Sequence, residues 1–209
     1  MHTLTNRVAR YVAHQFRAHL PATYTYHNLQ HTQGVVRAVQ MIGLHEGLST
    51  EDQQLVTLAA WFHDLGHVVD YQQHEYHSER LARAFLVLHD LPAAAIDTVV
   101  ACIRATTMPQ TPRSTVEAVL CDADLYYLST SAYAQGQHQL RHEWAVVLHR
   151  HYSDAEWVKL NGRFFSLHEY HTEYGKTVLE PRKREQFAGW FLRSKRSTSR
   201  VRSLRAGDQ

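Results

Sequence analysis

The sequence predicts an all-α fold in a single domain, on three observations. Apolar residues recur at helical spacing along most of the chain, capping residues and prolines punctuate those runs, and strand-like alternation is scarce. A chain of 209 residues can also bury a sizeable core. Leu4, Val8, Tyr11 and Val12 mark a first helix that closes near Pro21. The second runs from about Asn28 to His45, with His31, Val35, Val39 and Ile42 on one side. Ser49 or Thr50 caps the third, and Asp52 or Gln53 three residues on resembles a capping box. That helix carries the apolar run Leu55 to Phe62 into His63 and Asp64, with Gly66 placed to stop it. A polar loop, His67 to His74, precedes a fourth helix marked by Leu81, Phe85 and Leu88. Pro92 suits the first turn of a fifth, through Ile96, Val99 and Ile103. Pro109 and Pro112 then break the chain before a sixth helix with Val116, Leu120 and Tyr127. Ser153 and Glu156 form another capping box, opening a helix with Trp157, Leu160 and Phe164 on one face.

Charge divides the chain. The formal net charge of +2 conceals a basic end: Arg193, Lys195, Arg196, Arg200, Arg202 and Arg205 face only Asp208. Without that end the sum turns negative, so the body is mildly acidic. A domain over residues 1–192 and a disordered basic tail over 193–209 are expected, the tail having few apolar groups to bury. A solvated tail is the simpler expectation, with contact to nucleic acid or anionic lipid as the alternative. Cys102 and Cys121 lack metal or disulfide spacing, which fits a reducing, cytoplasmic setting. No apolar run approaches the roughly 18 residues of a membrane span.

Histidine is the compositional outlier, with 17 in the chain. Among them, His31, His63 with Asp64, and then Asp124 fall at the apolar edges of separate helices. Ionisable groups aimed at a core are costly unless paired or bound to a metal, so these four residues are expected to form a metal site. Side chains of neighbouring helical residues diverge by about 100°, so His63 and Asp64 share one ion only near a helix end. Imidazole with carboxylate suits Mn²⁺, Fe²⁺, Zn²⁺ or Co²⁺ with water on open positions, and the missing thiolates argue against structural zinc. Asp122 competes with Asp124, but Asp124 lies nearer the Val116–Leu120–Tyr127 stripe and is preferred; Asp122 turns toward solvent or a neighbour.

The order His31, His63-Asp64, Asp124 resembles the H…HD…D signature of the HD superfamily of metal-dependent phosphohydrolases. Tyr26-His27-Asn28-Leu29-Gln30-His31 resembles the Y-H-N-x-x-H motif of cyclic nucleotide phosphodiesterases in that superfamily, and His63-Asp64-Leu65-Gly66-His67 their H-D-x-x-H. His74-Glu75-Tyr76-His77-Ser78 and Asp122-Ala123-Asp124-Leu125 are similar to segments of bacterial HD proteins. The likeness spans roughly residues 24–130, and residues 157–183 resemble the C-terminal helices of such proteins. It implies an HD-type helical domain with the metal site between core helices, acting on a small phosphoester, most plausibly a nucleotide or cyclic nucleotide. His31, His63, Asp64 and Asp124 are then ligands for one divalent ion (Mn, Mg, Co, Fe or Zn), with room for a second. The resemblance gives His27, one helical turn before His31, the part of general acid. His67 is expected to orient a carboxylate or the attacking water. His74, Glu75 and Arg141 are the substrate-contact candidates. Thr106 and Thr107 stand where some two-metal relatives supply another histidine, which weakens the case for two tightly held ions. A di-iron oxygenase on the same scaffold and a non-catalytic nucleotide-binding regulator are the alternatives.

Overall fold

A computed structural model describes residues 2–192, whose regular elements are all helices, with no strand among them. Helix α1 is His2–His19, α2 is Leu29–His45, α3 is Thr50–Phe62, α4 is His74–Val87, α5 is Ala93–Ala105 and α6 is Thr115–Asp124. Then come α7, Tyr133–Val147, and α8, Asp154–Leu167. The last helix, α9, covers residues 173–192 and contains a π turn at Gly175–Leu179. Pro181 explains that turn, because its ring displaces the carbonyl of Thr177 and offers no N–H in return. The expected tail, 193–209, lies outside the described residues.

Helix α3 is the axis of the core. Leu55, Val56, Leu58, Ala59, Ala60 and Phe62 are all buried, and α1, α2, α4, α5 and α6 pack around them. Each large apolar side chain so placed contributes about 1.5–3 kcal/mol of burial. Val8, Val12 and Phe16 supply the face of α1, Val35, Val39 and Ile42 that of α2, and Val99 and Ile103 that of α5. A second, smaller cluster of Leu128, Tyr133, Trp157 and Trp190 joins α7, α8 and α9. These aromatics are core, as residues of that size at helical spacing usually are.

The caps form as their sequences indicate. Ser49 accepts from the amide of Asp52, and Ser153 and Glu156 make the full reciprocal box. Three boundaries differ from expectation. Helix α3 ends at Phe62 with His63 as its C-cap, and Gly66 has no left-handed φ; it sits in a 3₁₀ turn, Leu65–Val68. A Cβ on Gly66 would lie 1.9 Å from the carbonyl oxygen of His74, so this glycine lets α4 close on the turn rather than stopping a helix. The segment expected as a polar loop therefore holds a buried His67. Helix α6 stops at Asp124 and leaves Tyr127 in a second 3₁₀ turn, Tyr126–Ser129. Helix α7 was not anticipated at all. Its buried face is Tyr133, Gly136, Gln137 and Glu143, which is helical spacing written in residues that carry almost no hydrophobic signal.

Candidate metal centre

The donors meet where helix ends converge beside the core. Asn28 sets the first of them: its Oδ1 accepts from the amides of Gln30 and His31, and its Nδ2 donates to the carbonyls of Tyr24 and Thr25. The asparagine of the Y-H-N-x-x-H stretch is thus the N-cap that aims His27 and His31. Tyr26 packs its ring against both imidazoles. His63 caps α3 and Asp64 follows it out of the helix, so adjacent residues turn to one point. Ser78 holds the turn behind them, accepting from the Gly66 amide at 2.7 Å.

At that point Asp124 Oδ1 lies 3.1 Å from His31 Nε2 and 3.5 Å from His63 Nε2. Asp64 Oδ2 lies 3.4 Å and 3.3 Å from the same two nitrogens. The His63 tautomer follows from its other nitrogen. Nδ1 is 2.8 Å from the Ala60 carbonyl, an acceptor only, so the proton sits on Nδ1 and Nε2 points a lone pair at two carboxylates. His63 Nε2 and Asp64 Oδ2 are both buried without a hydrogen-bond partner. Electron pairs converging at one largely buried point call for a cation. Ligands about 2.1 Å from one ion at near-tetrahedral or octahedral angles stand roughly 3.0–3.4 Å apart, which is the spacing of this set. With only protons present, burial opposes charge on His63, yet Asp64 and Asp124 outweigh it and lift its pKa well above the usual imidazole range. Burial likewise opposes charge on Asp64, and His63 overrides it to hold the carboxyl well below its usual range. The residues fit a divalent ion.

A second group adjoins the first through Asp64. His74 Nε2 and His67 Nε2 lie 3.7 Å and 3.9 Å from Asp64 Oδ1. The His67 and His74 rings stack, with centroids 3.9 Å apart. His74 Nδ1 faces the Tyr71 carbonyl at 3.0 Å, so its Nε2 also presents a lone pair; Glu75 Oε2 is 3.4 Å from the same Nδ1. Neither ring nitrogen of His67 has a partner. Burial, then the charge of His27, hold the His67 pKa well below the usual range and keep it neutral. One donor atom each from His27, Asp64 and His67 fall within 4.8 Å of one another, as do those of His31, His63 and Asp124.

Sequence reasoning missed Glu143. Its carboxylate is fully buried and bonds to His27 Nδ1. It also accepts from the amides of Tyr26 at 2.7 Å and His27 at 3.1 Å, and from the Tyr71 hydroxyl at 2.9 Å. Burial disfavours charge on His27, but the Glu143 hydrogen bond and the Asp64 charge more than offset it and raise its pKa. The available signal was the residue type itself: a carboxylate in phase with Tyr133, Gly136 and Gln137 on a helix needs a buried partner.

Other candidates fall elsewhere. Arg141 is not brought to the cluster; its guanidinium binds Asp154 Oδ1 at 2.8 Å and the Tyr152 carbonyl, beside the Trp157 ring. It ties α7 to α8. Asp122 turns to a neighbour, not to solvent. It is fully buried and accepts from the His171 amide at 2.8 Å and from the Thr172 amide and hydroxyl at 2.9 and 2.6 Å. Gly175 comes so close that a Cβ there would sit 2.2 Å from Asp122 Oδ2. The Thr106 hydroxyl is spent on the Ile103 carbonyl and adds no donor.

An all-helical protein that gathers histidines and aspartates at the ends of its core helices belongs to the class of helical metal-centre domains. Residues 28–127, just under half of the chain, match the family model of the HD domain. The match takes in His31, His63-Asp64 and Asp124 and stops before α7. HD-domain proteins bind divalent metals and are generally metal-dependent phosphohydrolases. No curated protein and no solved structure is found to match the chain. Among the described residues, no helix is long and apolar enough to cross a membrane.

Proposed function

We propose that this protein hydrolyses a small phosphoester, a nucleotide or cyclic nucleotide, at the His31–His63–Asp64–Asp124 centre. The observation that carries the reading is the forced tautomer of His63, whose buried lone pair faces two carboxylates, with the His27–Glu143 pair alongside. His31, His63, Asp64 and Asp124 would hold the ion, and Mn, Mg, Co, Fe or Zn would suit them. A divalent ion in that place supplies Lewis acidity and lowers the pKa of water. A second, weaker donor set is Asp64 Oδ1 with His67 and His74.

The chain's own groups supply the rest. Glu143 accepts from His27 Nδ1, which leaves Nε2 as the edge that carries a proton toward a departing alkoxide. A cation on Asp64 and Asp124 cancels their pull on His27, but Glu143 still favours the imidazolium. Neutral His67, beside Asp64, is the group to orient attacking water. Glu75 steadies His74, which bears on Asp64 rather than offering a donor to a phosphate. Buried free cysteines agree with a reducing, cytoplasmic setting.

The test is chelation of the full chain and reloading with each of the five metals. Elemental analysis and turnover of bis(4-nitrophenyl) phosphate and of cyclic and linear nucleotides are then measured. Metal-dependent turnover that His63→Ala abolishes together with metal content is expected. Stoichiometric metal without hydrolysis of any ester would overturn the proposal.

A further inference from the structure

Beside the centre lies a cavity of about 460 Å³. His31 and Asp124 form part of its wall, so it opens directly on the donors. Its size falls within the roughly 300–1,000 Å³ of cavities that hold small organic ligands. Small residues make the room: Gly34 and Ala38 on α2 and Ala123 on α6. A Cβ on Gly34 would meet nothing nearer than Arg37 Nη2 at 3.9 Å, so the helix here is left bare toward open space.

The polar lining has a particular character. Gln30, Gln135 and Gln139 present side-chain amides that take no hydrogen-bond partner among the described residues. Arg37 is the one lining residue, among those described, with a permanent positive charge, and it has no carboxylate partner among them. It stands six residues after His31, about 9 Å along the helix, and its guanidinium folds back over Gly34 toward the centre.

Charge counting then limits the ligand. A divalent ion held by Asp64 and Asp124 would already be balanced by those two carboxylates. Arg37 is left to neutralise one phosphoryl group. Further phosphates would lie among amides that offer no second cation to meet them. Amides that both donate and accept suit a neutral ring instead.

We propose that this cavity receives the alcohol part of the substrate, a neutral hydrogen-bonding ring group of nucleoside size, and that Arg37 selects esters carrying a single phosphoryl group. The proposal rests on the hydrolytic reading for its chemistry but not for the existence of the binding site. The metal-loaded full chain should give kcat/KM for AMP or cyclic AMP at least about tenfold above that for ATP. Gly34→Leu fills the cavity from a helix position with free space, and replacing a helical glycine favours folding. It should weaken calorimetric binding of AMP to the metal-free protein by about tenfold or more, and lower turnover of AMP more than that of glycerol phosphate. Arg37→Gln should weaken AMP binding while adenosine binding stays within a factor of about two, because only the phosphoryl contact is lost.

Turnover of ATP equal to or above AMP, or unchanged AMP binding by Gly34→Leu, would overturn the proposal. No measurable binding of either AMP or UMP would do the same. AMP binding that Gly34→Leu weakens, in a metal-loaded protein that cleaves no ester, would overturn hydrolysis and uphold the cavity as a binding site.

Discussion

Replacing Glu143 by glutamine removes one charge and almost no volume, which makes it the sharpest probe of the proton path. The carboxylate serves four donors: two backbone amides through Oε2, and His27 Nδ1 and the Tyr71 hydroxyl through Oε1. Glutamine can keep its oxygen on the two amides, which leaves its NH₂ facing His27. The imidazole then adopts the other tautomer, accepting at Nδ1 and losing the charge-assisted bond that favours its protonated form. A hydrogen bond to a charged group contributes about 1.5–3 kcal/mol, so turnover should fall about 10- to 100-fold. The discriminating assay pairs two diesters of similar shape, one with a high-pKa alkoxide leaving group and one with nitrophenolate. A proton donor matters only to the first, so the loss should be concentrated there, with KM and metal content near wild type. Equal losses on both esters with metal retained would refute the relay and leave Glu143 a support for the backbone of Tyr26 and His27.

Four further outcomes follow from the geometry. His27→Ala should reduce turnover of the alkoxide ester by about 10²–10⁴-fold and retain metal, and metal loss measured by elemental analysis would move His27 among the ligands. Asp124→Ala should lower metal content, whereas Asp122→Ala should keep it and cost about 2–4 kcal/mol in urea melts by orphaning the His171 and Thr172 amides; the reverse pattern would exchange the two aspartates. Gly66→Ala should destabilise by more than about 3 kcal/mol, since its methyl group collides with the His74 backbone, and a near-normal melting temperature would refute that packing. The fourth concerns pH. Burial, then the Lys183 ammonium against its Nδ1, lower the His168 pKa to about 3, so the fold is favoured by neutral His168. That stability is fully present above the unfolded value near 6.5 and is lost as pH falls toward 3, and His168→Gln should flatten the decline in denaturant midpoint across that window.

What the sequence disclosed depended on whether function was written in apolar period or in polar exceptions. Helices α1 to α6 and α8 carry stripes such as Val35–Val39–Ile42 and end in capping residues, so they were legible. The spacing of His31, His63-Asp64 and Asp124 was legible for the same reason, because ionisable groups stood in phase with those stripes. Helix α7 was not, since Gly136, Gln137 and Glu143 occupy core positions without apolar side chains. Arg141 drew attention there because exposed charge resembles an anion contact, while the buried charge two residues on mattered more. Gly66 was noticed for the wrong reason. Only a three-dimensional approach, the His74 carbonyl over its Cα, tells close packing from chain reversal.

The family match ends at residue 127 and Glu143 stands beyond it, on a helix anchored by Tyr133, Trp157 and Trp190. The ion's donors and the acid's counter-charge therefore come from different parts of the polypeptide. In the proposed reaction the matched segment would hold the electrophilic centre, and Glu143 on α7 would govern how readily a proton leaves His27. If the proposed reaction holds, exchanging the helices beyond residue 127 would retune which leaving groups can be expelled without altering the His31, His63, Asp64 and Asp124 donor set. Chemistry of this kind can diversify by changing what is bolted on behind the reaction, leaving its front intact.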